Sequence, residues 1–164
     1  MFLKPLSRKL KRFTHNNLNC GTEISLSKIL SSEEFIARFC FDRDFYAETG
    51  NPKPNVFMPV LFQGEYETSV CTKTNISEER IWEISKVVEV QRGKKLIGRA
   101  DLSVSVILEK NLTAESAPDT KLNYPEHSII IGWPAGKEET EKAKRKSIAQ
   151  ELAYKAKPVK IPSL

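Results

Sequence analysis

From residue 35 to 42 the chain alternates. Phe35, Ala37, Phe39 and Phe41 fall on one side, and Arg38, Cys40 and Asp42 on the other. Period two with aromatic enrichment predicts a strand at about 34–42. The same rule predicts a strand over 65–73, where Tyr66, Thr68, Val70 and Thr72 alternate with their neighbours. It predicts a longer one at about 99–109, from Leu102, Val104, Val106 and Leu108 set against Ser103, Ser105 and Glu109. Residues 128–133 form a short continuous apolar run, the pattern of a strand buried on both faces.

Two stretches carry helical signals instead. Ser77 is an N-cap residue, Glu78 and Glu79 follow in a first turn that favours negative charge, and Gly93 is a C-cap. Between them Ile81, Ile84 and Val88 form a stripe with Trp82 beside it, which predicts a helix over 78–92. Val87, Val88 and Val90 make strand the competing reading of its second half. The last helix is expected to begin near Glu138, acidic at its start and basic later, with a thin apolar face of Ala143, Ile148, Ala149, Leu152, Ala153 and Ala156. Two prolines and two asparagines place 50–55 in a loop, and 111–127 reads as a long polar loop. Residues 158–162 read as an extended tail.

Strands in both halves and few helices predict an α+β fold rather than alternating α/β. The expected architecture is an approximately four-stranded, mostly antiparallel sheet with two main helices on one face. Ahead of it comes a basic amphipathic N-terminal arm, in which Leu3, Leu6, Leu10 and Phe13 recur at helical spacing. The expected organisation is an arm over 1–22, one α+β domain over 23–157 and the extended tail over 158–164.

Charge divides this picture. The formal net charge is +5, but residues 1–13 alone carry +5 and residues 137–164 carry +4, leaving −4 for the rest. An anionic partner is therefore expected to meet the ends: Lys4, Arg8, Lys9, Lys11 and Arg12 in the arm, and Lys142, Arg145 and Lys146 on the last helix. Against this stands the plainer reading of the helical lysines as a solvated face, and of the arm as a helix docked on its own domain. The three cysteines, Cys20, Cys40 and Cys71, are widely spaced, and the only histidines are His15 and His127. That is neither a disulfide framework nor a zinc pattern, so reduced thiols in a cytoplasmic setting are expected, with no metal or other cofactor. The acid-poor arm makes organelle targeting or a peripheral membrane role the alternative. No apolar run is long enough for a membrane-spanning helix.

Catalytic signatures are sparse. There is no phosphate-binding glycine loop. His127 precedes one expected strand, and Arg99 and Asp101 open another. If those strand ends met, a histidine oriented by a carboxylate beside an arginine would make a hydrolase or nuclease site. A structural histidine and a strand-end ion pair are the competing reading. Asp42, Asp44 and Glu48 form a small acidic group, better read as a solvated loop than as a magnesium site. Pro118-Asp119 lacks the Glu-x-Lys partner of a divalent-metal nuclease core. The expected function is that of a non-catalytic accessory protein that engages a nucleic-acid backbone or an acidic protein partner.

Overall fold

A computed structural model describes residues 28–162. The basic arm, with Lys4, Arg8, Lys9, Lys11 and Arg12, lies outside the described residues. Among the described residues the fold is α+β, with seven antiparallel strands and three α-helices. The strands are β1 (Phe35–Phe41), β2 (Val60–Phe62), β3 (Glu65–Thr72), β4 (Leu96–Ser103), β5 (Thr113–Ser116), β6 (His127–Ile131) and β7 (Lys157–Lys160). The helices are α1 (Glu78–Arg92), α2 (Val104–Glu109) and α3 (Glu139–Lys155). The sheet runs β5-β6-β3-β1-β4-β7, and β2 is joined to β3 as a hairpin.

The expected count of four strands was too low because β2, β5 and β7 carry no alternation of their own. Each is short and forms on an edge offered by a longer neighbour. β5 pairs with β6 inside the expected loop, and β7 pairs with β4 inside the expected tail. Pro158 is tolerated there because β7 lies at the end of the strand order.

The expected single helical face is also corrected. Along β1, Ile36 and Cys40 enter one core with Ala149, Leu152 and Ala153 of α3. Ala37, Phe39 and Phe41 enter another with Ile81, Ile84 and Val88 of α1. A central strand that is apolar on both sides needs cover on both sides, so α1 and α3 take opposite faces.

The expected strand at 99–109 breaks at Ser103. Its hydroxyl accepts from the Ser105 N–H at 3.3 Å and caps α2. The spacing then changes from two to helical: Leu102, Val104 and Ile107 are buried, while Leu108 turns outward. By contrast, α1 matches its expected bounds. Ser77 Oγ accepts from the Arg80 N–H at 3.2 Å, and Gly93 closes the helix in the left-handed region at φ 59°.

Candidate functional site

β1 and β3 pair only at Ile36 with Thr72 and Ala37 with Cys71, then part. Arg38 fills the gap. Its Nε donates to Val56 O at 2.9 Å and its Nη1 to Ser69 O at 2.5 Å, so the guanidinium spans a short 3-10 turn and β3. Nη2 has no acceptor among the described residues. On the α1 side the gap opens into a cleft of about 470 Å³. Phe62 enters it from β2, Arg92 from the end of α1, and Tyr124 and His127 from the segment leading into β6.

Local chemistry positions each of these groups. Gln63 and Gly64, at φ 49° and 86°, form a two-residue hairpin turn that fits the strand twist and sets Phe62 opposite Glu65. Val60, Leu61 and Phe62 are all exposed, at 63%, 51% and 53%. Strand alternation turns Val60 and Phe62 to this cleft, while Leu61 lines a different hollow beside Trp133. Arg92 lies over the Phe41 ring, 5.4 Å from its centroid. Arg80 holds Glu126 through two hydrogen bonds of 2.8 and 3.1 Å, fixing the chain just before His127. His127 Nδ1 is 2.5 Å from Ala117 O. A carbonyl only accepts, so Nδ1 carries the proton and Nε2 is the ring's available acceptor in the neutral form. The Tyr124 ring meets the imidazole edge-on at 5.3 Å.

The cleft itself holds both signs, Arg38 and Arg92 with Glu67 and Asp119, and the excess of positive charge lies next to it. A second hollow of about 830 Å³ adjoins the first, sharing Arg38, Phe39, Phe41 and Arg92. Arg43, Lys53 and Lys94 also line it, so five cations face two carboxylates, Asp42 and Asp44. Asp44 is spent on the Phe41 N–H and the Asn55 amide, not on a cation. Among the described residues neither Arg38 nor Arg92 forms an ion pair. Burial, reinforced by the like charge of Arg92, pushes the Arg38 guanidinium down to about 10. It remains a cation at neutral pH, in a place where an anion would relieve both burial and repulsion.

The residues singled out from sequence fall elsewhere, with one exception. Arg99 and Asp101 do meet: Nε donates to Oδ1 at 2.9 Å, and Lys73 joins the same carboxylate. Arg99 Nη2 also donates to Glu78 at 2.8 Å, and the guanidinium lies over Trp82 with its Cζ 4.7 Å from the ring centroid. This is an α1-to-sheet clasp, and it holds the Glu78 carboxyl below the usual carboxylate range. His127 does not join it. Cross-strand partners lead from His127 to Cys71, then Ala37, then Asp101, which is three strand spacings of ~4.8 Å, or about 14 Å. Of the basic residues on α3, Lys142 and Lys146 are exposed and Arg145 is buried. Trp133 is buried, with its indole N–H on Ile130 O at 3.1 Å.

Cys40 and Cys71 are buried free thiols. Burial pushes the Cys71 thiol up to about 11 and raises Cys40 further, so neither is an activated nucleophile. No cluster of potential metal ligands occurs among the described residues, and none of their helices is long and apolar enough to cross a membrane. Compared with protein-family models, curated proteins and solved structures, the chain matches none.

Sequence reasoning passed over Arg38 and Arg92. A usable signal existed for Arg38: a permanent charge inside an otherwise apolar strand must find buried acceptors or line an opening. Nothing local marked Arg92, Phe62 and Tyr124 as neighbours.

Proposed function

We propose that this is a non-catalytic binding protein that grips the phosphate backbone of a nucleic acid in the basic cleft. The supporting observation is the pair Arg38 and Arg92, a tethered cation beside a like charge with no ion-pairing carboxylate among the described residues. Arg43, Lys53 and Lys94 extend the positive lining outward, where a flexible anionic chain passes. The arm cations Lys4, Arg8, Lys9, Lys11 and Arg12, with Lys142 and Lys146, would add non-specific contacts. Arg145 is left out of this set because it is buried.

The rival reading, a hydrolase or nuclease using His127 with Arg99 and Asp101, has less support, because about three strand spacings separate the histidine from the other two. An acidic protein partner is the other competitor, and salt alone does not separate it from nucleic acid.

Fluorescence anisotropy with labelled single-stranded and duplex oligonucleotides tests the proposal. Affinity should fall steeply with salt, with a log–log slope of about −3 for single strands if four or five cations take part. Arg43→Ala or Lys94→Ala should each flatten that slope by about 0.7. Negligible binding at low salt would reject it.

A further inference from the structure

We infer that the cleft also seats an unpaired nucleobase, stacked on Phe62 beside Tyr124 and His127, so that the site selects single strands over duplex. This rests on the backbone-binding reading above and adds the base as the recognised group.

The geometry separates two kinds of lining. Cations crowd one end, where Arg38 and Arg92 stand and Arg43 and Lys94 follow. The rest carries the apolar and aromatic groups Val60, Phe62, Leu122, Tyr124 and His127, with Glu67, Gln91 and Asp119 as polar groups among them. A phosphate suits the first end and a flat apolar ring the second, and a nucleotide is a ligand that carries both. The volume of about 470 Å³ lies within the range of pockets that enclose small ligands.

Phe62 is the most telling residue. A half-exposed phenylalanine on a three-residue strand contributes little to either core; it belongs to neither buried cluster. Its ring nonetheless faces the cleft from a hairpin whose turn is tightly specified. An aromatic face kept accessible near two arginines is what base stacking uses, and it is indifferent to base identity because every base has a π-face. Gln91 and Asp119 also line the cleft and offer polar atoms to a base edge. In a duplex the bases are already stacked on each other, so only an unpaired base is available to the ring.

The test compares three probes of equal backbone length on the full chain: a short oligothymidylate, the same backbone with abasic sites, and the matching duplex. The thymidylate should bind about tenfold more tightly than the abasic strand, since only it offers a base face to the ring. Phe62→Ala should erase that difference and leave the salt slope unchanged; Phe62 is outside both cores, and circular dichroism checks that the variant folds. Arg92→Ala should do the reverse, flattening the salt slope and keeping the preference for bases. Equal affinity for thymidylate and abasic strands, or a preference that survives Phe62→Ala, overturns the base site and leaves the backbone reading standing. Absence of binding to all three probes overturns both.

Discussion

Arg145 of α3 lies over Tyr66 of β3, its Cζ 3.9 Å from the ring centroid. The same guanidinium donates from Nη1 to Pro134 O at 2.7 Å and to Gly136 O at 2.9 Å. One residue therefore ties the last helix to the sheet and to the loop that enters the helix, and only 4% of it is exposed. Arg145→Ala should destabilise by about 2–4 kcal/mol, because two carbonyls lose a charged donor and the ring loses its cation. Arg145→Lys should recover only part, since an ammonium has no planar face to stack. Exposed Lys146→Ala should stay within about 0.5 kcal/mol of wild type. Urea midpoints give all three, and equal effects at 145 and 146 would refute the clamp.

Gly98 faces Cys40 in β1 and Lys160 in β7. A Cβ placed there would stand 2.5 Å from Val159 O and 2.9 Å from the Phe45 ring. Backbone cannot yield as a flexible side chain does, so Gly98→Ala should push β7 off β4 at about 1–3 kcal/mol. Faster amide exchange confined to β7 and its β4 partners checks this. An unchanged exchange pattern would mean the sheet edge absorbs the methyl.

Acid should weaken the fold through two clasped carboxylates. Hydrogen bonds from Arg80 hold Glu126, and those from Arg99 hold Glu78, below the ordinary value of 4.5. A depressed folded-state value means the unfolded chain takes up protons first, so the stabilisation is whole above 4.5 and is lost as pH falls through the lower folded value. Arg80 is partly exposed, so Glu126→Gln should cost only some tenths to about 1 kcal/mol at neutral pH. That difference should shrink towards zero in acid. Denaturant titrations across the pH range would count against the clasp if the gap between wild type and variant stayed constant.

Cys40 and Cys71 should resist thiol reagents in the folded protein near neutral pH. Both are buried, and burial raises both thiols. Labelling followed by peptide mapping should show each modified only after denaturation, at a rate limited by opening. Rapid native labelling of Cys71 would mean that the wall it shares with Tyr124 opens readily.

Anion binding should be visible without any partner. Arg38 and Arg92 repel one another, so inorganic phosphate or sulfate should raise the melting temperature more for wild type than for Arg92→Ala. An equal rise in both would assign the effect to general salting and not to the cleft.

Some of this was readable residue by residue. α1 was legible because its signals are local: Ser77 caps it, acids fill its first turn, and Gly93 ends it. The alternation of β1 was equally plain, and its facing pattern matches the two cores. The segment after Leu102 misled because Val104, Val106 and Leu108 prolong the alternation of β4, whereas the cap at Ser103 starts a helix that buries Val104 and Ile107. β5 and β7 carried no local signal, since each exists only because β6 and β4 present an open edge.

The chain alone determined the α+β class, the positions of β1, β3, α1 and β6, and the uneven charge map, because caps, periods and charges act over a few neighbouring residues. Only the tertiary structure decided that α1 and α3 cover opposite faces, that Arg145 is buried under Tyr66, and that His127 stands apart from Arg99 and Asp101. It also assembled the cleft from residues 38, 62, 92 and 127. Those outcomes depend on which strand pairs with which, and strand pairing is settled by burial of distant apolar residues and by backbone hydrogen bonds across the sheet, neither of which leaves a mark in the local pattern.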